Sequence, residues 1–163
     1  MTDVHSPEIR SKNMRSIRSA DTKPELIVRK GLHAAGLRYR LGGAGLLGRP
    51  DLVLPKYKTV IFVHGCFWHG HDCSYFKLPN TRKDFWEKKI CGNRERDAQV
   101  VTTLSATGWR VAIVWECAIK KAMDNSRTTA FNNLISWIKT GTGATIEIAA
   151  MNPKNAVLSH SRQ

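Results

Sequence analysis

Two cysteines, two histidines and two large aromatic residues fall within eight residues, in the segment Cys66–Cys73, which reads Cys-Phe-Trp-His-Gly-His-Asp-Cys. Thiolates combined with imidazole favour tetrahedral zinc. Cys66, His71 and Cys73 supply three candidate ligands. The alternative is a pair of inert buried cysteines beside a hydrogen-bonded histidine, but this density of ligand side chains favours a metal site.

A fourth zinc ligand has to come from elsewhere in the chain, where Cys91 and Cys117 are the remaining thiols. Four protein ligands are typical of a structural ion, because catalytic zinc usually keeps one position open to water. His69 is then spare. It is either a functional group held rigidly beside the metal or an ordinary surface or supporting histidine.

The charge of the chain indicates a polyanionic partner. Twenty-six Lys and Arg residues against thirteen Asp and Glu give a formal net charge of +13 over 163 residues, which predicts salt-sensitive binding to nucleic acid. The longest apolar runs have only the length of a strand, so no membrane span or membrane partner is expected. The N-terminus has no apolar stretch like that of a secretory signal, which favours the reducing cytoplasm and argues against disulfides.

With 42% hydrophobic residues and no internal repeat, the chain is expected to form one domain around one core. We predict a basic N-terminal arm at residues 1–20, a central domain at residues 21–140 and a tail at residues 141–163. Neither end has a convincing periodic pattern, so both are expected to be loosely ordered.

The local patterns predict an α/β sandwich with a mixed sheet. Thr22, Pro24 and Glu25 are typical of a helix start, with a threonine cap and a capping-box glutamate. This helix should end near Ala35. The further predicted elements are strands at 37–41, 51–54 and 59–64, a helix at 84–106, a strand at 109–115 and a helix at 128–139. The strand at 59–64 is continuously apolar and is therefore expected to be central.

One face of the long predicted helix is apolar but interrupted by two polar residues. Spacings of three and four place these residues on the same side: Trp86, Ile90, Asn93, Asp97, Val100 and Leu104. An aspartate that points toward a sheet needs a partner, so Asp97 either forms an ion pair or faces a functional cleft. Lys89 lies beside this face and could extend it toward a ligand.

Asp51 stands at the start of a strand, directly after Gly48-Arg49-Pro50. A carboxylate in such a position can bind a hard cation such as magnesium, although Pro-Asp is also ordinary turn chemistry. The next strand returns beside Asp51 and delivers His64, Cys66 and His69 to the same end. The carboxylate and the histidines are therefore expected to meet.

Several motifs together resemble the very-short-patch mismatch-repair endonucleases, over about residues 4–118. The most specific is the block Val63-His-Gly-Cys-Phe-Trp-His69 with its downstream His71-x-Cys73. The others are Ser11-Lys-Asn-Met-Arg15, Gly48-Arg-Pro-Asp51, Phe85-Trp86, Asn93-x-Glu-Arg-Asp97, Gly108-Trp-Arg-Val111 and Trp115-Glu-Cys117.

This resemblance implies a restriction-endonuclease-like fold and a function. Such an enzyme nicks one strand of duplex DNA, with magnesium, beside a thymine mispaired with guanine, the product of 5-methylcytosine deamination. It would act as a monomer on DNA at the nucleoid, with functional links to a cytosine-5 DNA methyltransferase and to mismatch-repair proteins.

The resemblance also assigns roles to individual residues. Asp51 becomes a magnesium ligand, the main-chain carbonyl of Val63 becomes a second ligand, and His69 becomes the general base. The residues that orient water around the magnesium would be Glu25, His64 and Asp97. Restriction-type sites usually carry an acidic residue and a lysine two apart on the second strand, whereas this chain has Val63 and Gly65. The number of magnesium ions therefore stays open.

The same resemblance completes the zinc site and suggests a DNA-contacting surface. The zinc ligands become Cys66, His71, Cys73 and Cys117, and Cys91 is left out. The aromatic wedge that enters the duplex would be Phe67, Trp68 and Trp86. Met14 belongs to the basic arm that approaches DNA from the other groove, and Lys89 and Asn93 are expected to contact DNA.

A rival from another class is a noncatalytic DNA-binding module stabilised by zinc, because composition and zinc ligands fit both functions. The discriminating question is whether Asp51 and His69 are needed for strand cleavage. A zinc deaminase is disfavoured because His-x-Glu followed by Pro-Cys-x-x-Cys does not occur, and a zinc protease because His-Glu-x-x-His does not occur.

Overall fold

The computed structural model of the chain describes residues 6–17, 20–120 and 126–150. The elements in chain order are α1 (Pro7–Ser16), α2 (Lys23–Ala34), β1 (Arg40–Leu41), β2 (Leu52–Leu54), a 3₁₀ turn (Pro55–Tyr57), β3 (Thr59–His64), α3 (Lys83–Ala106), β4 (Arg110–Trp115), α4 (Glu116–Lys120), α5 (Ser126–Thr140) and β5 (Thr145–Ile148). No helix among the described residues combines the length and the apolar composition that crossing a bilayer requires.

The five strands form one mixed sheet in the order β1-β2-β3-β4-β5. Strands β1, β2 and β3 pair antiparallel, whereas β3, β4 and β5 pair parallel. Strand β3 lies in the middle, as its continuously apolar sequence predicts. The expected α/β fold with a mixed sheet is therefore confirmed.

Helices cover both faces of the sheet. On one face, α2, α4 and α5 enclose the larger core, which includes Leu32, Ile61, Val114 and Leu134. On the other face, Leu104 of α3 packs against strand residues that include Val60, Phe62 and Val111. Because side chains alternate along a strand, His64 follows Val60 and Phe62 onto the α3 face. The end of β3 thus carries a histidine between the sheet and the long helix.

Helix α2 begins as the capping signature predicts. The Thr22 hydroxyl oxygen accepts a hydrogen bond from the Glu25 backbone N–H at 3.4 Å, and Pro24 lies in the first turn. The chain leaves the helix through Gly36, whose φ is +80°. The strand expected at residues 37–41 is shorter than predicted, since only Arg40 and Leu41 pair with β2.

The short β1 has a packing explanation. Leu37 is buried in the larger core, and the Tyr39 hydroxyl donates to the carbonyl oxygen of Arg29 at 3.1 Å. Residues 37–39 therefore lie against α2 instead of continuing the sheet. The three-residue β2 also offers few pairing partners.

Three elements differ from the sequence-based expectation. Helix α1 lies in the arm, where Ser6 caps the helix and Pro7 occupies its first turn. Helix α4 follows β4 directly. Strand β5 lies beyond residue 140, where no element was predicted, and pairs with β4 from Val111–Thr145 to Val114–Ile148. Four residues at a sheet edge give too weak a period to detect. The division at residues 20 and 140 stays a prediction, and residues 151–163 lie outside the described residues.

Two glycines should respond to alanine in opposite ways. Gly48 has φ +75°, and an added Cβ would lie 2.6 Å from Val100 Cγ1, whereas a Cβ on Gly92, within α3, meets nothing within 4 Å. Gly48→Ala should lower the free energy of unfolding by at least about 1 to 2 kcal/mol, the cost of the left-handed backbone alone. Gly92→Ala should raise it by up to about 1 kcal/mol. Urea denaturation of both variants measures this, and two changes of the same sign would contradict the described packing.

Candidate active site and metal centre

The segment after β3 forms one tight turn that ends at Gly70. The His71 N–H donates to the Cys66 carbonyl at 2.9 Å, and the Gly70 N–H donates to the Phe67 carbonyl at 3.3 Å. This pair of hydrogen bonds, with Gly70 at φ +61°, is a Schellman motif. The turn therefore fixes the backbone on which three consecutive functional candidates lie, at positions 67–69.

Four metal-ligand side chains converge at the same end of the sheet. They are Cys66, His71, Cys73 and Cys117, whose ligand atoms all lie within 4.8 Å of one another. The parallel pairing of β3 with β4, in the register His64–Trp115, brings the residues that follow both strands together. The ring of His71 also stacks on Trp115 with centroids 4.2 Å apart. This group could hold a metal ion.

The chemistry of the donor set suits zinc. Bonds of about 2.3 Å to sulfur in a tetrahedron separate the ligand atoms by about 3.7 Å, which the observed spacing allows. A shared hydrogen bond raises the pKa of Cys66 and lowers the pKa of Cys117 to about 5. One sulfur is therefore ready to bind a cation as thiolate at neutral pH. Cys91 is exposed on α3 and contacts Glu95 instead.

His69, which lies between the ligands Cys66 and His71 in the sequence, forms a hydrogen-bonded pair with Asp97. His69 Nδ1 lies 2.5 Å from Asp97 Oδ2. Because a carboxylate only accepts hydrogen bonds, Nδ1 of His69 is the donor, and in the neutral form of the ring Nε2 carries the lone pair. Asp97 pairs with His69 and also lines the cleft. The two alternatives for this residue, a pair with a basic side chain and a position that faces a cleft, are therefore both observed.

His64 lies directly against His69. The two rings are stacked, with centroids 3.8 Å apart and planes 4° from parallel. His64 is 8% exposed, and its Nδ1 has no hydrogen-bond partner in the described part of the chain. Burial, followed by the charge of His69, lowers the pKa of His64 to about 4. His64 is therefore neutral at physiological pH.

Asp51 reaches the same cleft from the start of β2. Its Oδ2 accepts a hydrogen bond from the Val63 backbone N–H at 2.7 Å. Burial is the main cause that raises the pKa of Asp51 to about 6, the Val63 N–H opposes this rise, and the nearby Glu25 adds to it. This partly buried carboxylate lacks a full compensating charge. It therefore fits a hard divalent cation, whose charge would stabilise its ionised form.

Glu25 is 4% exposed and already bonded on both oxygens. Oε2 accepts from the Asp21 N–H at 2.9 Å and from Arg29 Nη2 at 3.1 Å, while Oε1 accepts from the Thr22 hydroxyl at 3.1 Å. Capping and an ion pair thus hold Glu25 at the cleft wall. The predicted role in orienting water around magnesium stays a prediction.

A cleft of about 990 Å³ joins these groups. Its lining residues include Glu25, Asp51, Val63, His64, Trp68, His69 and Asp97. Ser16 and Ile17, at the C-terminal end of α1, also reach it, and Met14 on this helix is 45% exposed. The structure therefore brings residues that are far apart in sequence, from Ser16 to Lys120, together in one cleft.

Five aromatic rings cluster beside the cleft. Phe67 contacts Trp68 and Trp86 with ring centroids 5.2 and 5.3 Å apart, and Phe76 and Phe85 extend the cluster. Lys89 Nζ lies 5.6 Å from the Trp68 ring centroid and 5.7 Å from that of Trp86. The three predicted wedge residues are therefore mutually packed, each is half-buried, and a cation lies over two of them.

Several contacts that support the site were not predicted from the sequence. Asn93 Nδ2 donates to the carbonyl oxygen of Trp68 at 2.7 Å, although its predicted role was a DNA contact. Glu116 Oε2 accepts from the Cys66 N–H at 3.1 Å, and its other carboxylate oxygen pairs with Lys120. Glu116 follows a predicted strand, which was the available signal, but only the fold shows that it faces the metal centre.

Comparison with known proteins identifies the family. A family model described as DNA mismatch endonuclease Vsr matches residues 2–75. The chain is 46% identical to the DNA mismatch endonuclease Vsr of Escherichia coli K12 over 148 residues, which cover 91% of this chain and 94% of that protein.

Two further relatives are named as type II nicking enzymes. One, from Xanthomonas oryzae pv. oryzae, is 50% identical over 73% of this chain and 88% of its own length. The other, from Neisseria meningitidis serogroup A, is 46% identical over 85% of this chain and 98% of its own length. With this similarity over nearly the whole of its relatives, and with this cleft, the chain belongs to the Vsr family of DNA mismatch endonucleases.

Proposed function

We propose that the protein nicks one strand of duplex DNA beside the thymine of a T:G mismatch, by magnesium-dependent hydrolysis of a phosphodiester bond. The observation that carries the proposal is the meeting of the His69–Asp97 pair with the buried Asp51 carboxylate in one cleft beside the aromatic cluster. The family and the names of the relatives, which include mismatch endonuclease and nicking enzyme, support it. The net charge of +13 favours DNA as the partner.

Asp51, with the main-chain carbonyl of Val63, would hold magnesium. Carboxylate and carbonyl oxygens are the donors that this cation prefers, and the raised pKa of Asp51 signals negative charge in need of compensation. When bound, magnesium would neutralise charge that develops on the phosphate and the leaving oxygen. Glu25 adds a second negative charge at the cleft wall.

His69 is the proposed general base. With Nδ1 donating to Asp97, the free Nε2 can accept a proton from the attacking water. Asp97 holds the ring in this tautomer and stabilises the cation formed when His69 is protonated. Because His64 is neutral, it stacks on His69 without adding a positive charge that would oppose proton uptake.

The metal centre at Cys66, His71, Cys73 and Cys117 is proposed to be a structural zinc site. All four positions would be protein ligands, which leaves no place for a reacting water. Its ligands Cys66 and Cys73 stand at the two ends of the segment that contains His69, Phe67 and Trp68. Zinc would therefore hold the base and the wedge at a fixed separation.

Phe67, Trp68 and Trp86 are proposed to enter the duplex at the mismatch. A T:G pair keeps its hydrogen bonds, so altered deformability offers more discrimination than altered chemistry. Unstacking a base step costs a few kcal/mol, least at a mismatch, and stacking a base on an aromatic ring returns about 1 to 3 kcal/mol. The packing of the three rings lowers the entropic cost of insertion.

The central experiment offers labelled duplexes with each mismatch, with magnesium or with EDTA. Wild-type protein should nick one strand at T:G pairs in a methyltransferase-type context only with magnesium. Asp51→Ala and His69→Ala should each nick at least about a hundredfold more slowly, the low end for losing a general base, while they still bind DNA. Binding by the wild type without any cleavage would instead favour the noncatalytic DNA-binding module.

The two thiols outside the Cys66–Cys73 segment, one a proposed zinc ligand and one not, provide a matched pair of variants. Cys117→Ser should lower the zinc content and the melting temperature, because it removes one of four ligands from a buried site. Cys91→Ser should leave both unchanged, since Cys91 is exposed on α3. Elemental analysis with thermal unfolding checks this, and full zinc in the Cys117 variant or its loss in the Cys91 variant would overturn the ligand assignment.

Asp51 should reduce the stability of the metal-free protein. Its pKa rises from 3.8 to about 6 on folding, so the folded state favours the protonated acid, and ionisation destabilises it as pH rises through this interval. At neutral pH the penalty is of the order of 3 kcal/mol, at 1.36 kcal/mol per pKa unit. Asp51→Asn should therefore unfold at a higher temperature than the wild type at pH 7 without magnesium, and this difference should vanish near pH 4.

A control separates this effect from a general charge effect. Asp84 is exposed in the first turn of α3, and Asp84→Asn removes the same charge. This variant should not gain stability at pH 7. An equal gain in both variants would point to the net charge of the chain and would reject the explanation based on the burial of Asp51.

Trp68→Ala tests the wedge. The variant should keep its zinc and most of its melting temperature, because Trp68 is only half-buried, and should lose the preference for T:G over T:A duplexes. Competition binding and nicking assays on the two duplexes measure the preference. A variant that unfolds, or one that retains the full wild-type ratio, would show that Trp68 serves the core and not recognition.

A further inference from the structure

The turn that holds the catalytic candidates ends in backbone carbonyls that need partners. In a Schellman motif the last residues of the turn leave carbonyl oxygens without N–H donors inside the turn. Here those of Trp68, His69 and Gly70 all receive hydrogen bonds from α3. Asn93 Nδ2 donates to Trp68, and Arg94 donates to both His69, through Nε at 3.4 Å, and Gly70, through Nη2.

The turn lies directly on the helix at Arg94. A Cβ on Gly70 would lie 2.4 Å from Ile90 Cγ2 and 2.8 Å from Arg94 Nε. The backbone at Gly70 is therefore enclosed between an apolar side chain and the guanidinium. This close approach, together with the positive φ of Gly70, leaves the turn little freedom to shift along α3.

Arginine is well suited to this place. Its planar guanidinium donates in a fork, so one side chain can serve two neighbouring carbonyls, whereas a lysine ammonium acts as a point charge. A cation also interacts favourably with the carbonyl end of a helical turn. Arg94 lies three residues before Asp97, which binds the imidazole of His69. Helix α3 thus contacts His69 at its side chain and at its backbone.

We propose that Arg94 is a positioning residue that holds the His69–Gly70 backbone against α3, so that His69 stays aligned with Asp97 during catalysis. The inference rests on the proposed role of His69 as general base. Arg94 itself does not touch the reacting atoms. Arg94 contributes by orienting the base. Its loss should therefore lower kcat with little effect on KM for DNA.

Arg96 is a matched control. It lies on the same helix, carries the same charge and is exposed, and among the described residues its hydrogen bonds stay within α3, to the carbonyl of Gly92 and to Asn93. Arg94→Gln and Arg96→Gln each remove one positive charge, so both should change KM for DNA only slightly and to a similar extent. Only Arg94→Gln should lower kcat for T:G duplexes, by about 10- to 100-fold, the range expected for a small misplacement of a catalytic group. Arg94→Lys should restore the charge but not kcat.

Hydrogen exchange of the backbone amides at residues 69–71 gives a readout that does not depend on nicking. Exchange should be faster in Arg94→Gln and in Arg94→Lys than in Arg96→Gln, with the zinc content equal in all three. Equal kcat in the two glutamine variants, full recovery of kcat in Arg94→Lys, or unchanged exchange would each overturn the proposal. If the wild type fails to nick any mismatch, the proposed function fails, but the exchange measurement still decides whether Arg94 holds the turn.

Discussion

The parallel pairing of β3 with β4 is the constraint on which the rest of the site depends. In the register that places His64 beside Trp115, both strands end at the same edge of the sheet. The residues that follow them, Cys66 and Cys117, must then meet. The same end of the sheet receives Asp51, which directly precedes the antiparallel neighbour β2 and whose Oδ2 accepts a hydrogen bond from the Val63 N–H. One pairing thus brings together a metal centre and an acidic cleft.

The cleft concentrates groups that are unfavourable in a folded protein without its ligands. Asp51 is a largely desolvated carboxylate near a second carboxylate, and His64 is a buried imidazole whose Nδ1 has no hydrogen-bond partner among the residues that the structure describes. Such groups cost stability unless a ligand compensates them. The two hydrophobic layers on the faces of the sheet supply the stability that makes this possible. The family is restriction-endonuclease-like, and the mixed sheet follows that architecture.

Much of this arrangement could be predicted from the sequence because its signals are local. The Thr22 to Glu25 signature fixes the start of α2, and the apolar run at Thr59–His64 identifies the central strand. The spacing of Cys66, His71 and Cys73 indicates a metal. Strand β5 escaped prediction and β1 is shorter than predicted, because the extent of both depends on neighbouring strands and on α2 more than on their own periodicity. The signal for α1, Ser6 followed by Pro7 and Glu8, was present but short.

The site was harder to predict wherever two distant segments meet. The family resemblance assigned roles to Asp97 and His69. Their hydrogen bond, however, forms only because α3 packs against the turn after β3 at the level of Asp97. The positions of Arg94 and Arg29 had no sequence signal, since each supports the site through backbone groups or through another side chain. Long-range contacts of this kind become visible only when the fold is known.

The Schellman turn has a geometric consequence for an enzyme that works as proposed. Phe67, Trp68 and His69 are consecutive residues of one turn, and a helical turn advances only about 1.5 Å per residue. The turn therefore fixes the distance between Phe67 and Trp68, which would contact the lesion, and His69, which would activate water. The offset between mismatch and cut would be a property of this turn, set by its residue count and not by the flanking DNA. Moving the cut by one nucleotide would then require a different turn, and no change at the cleft alone could achieve it.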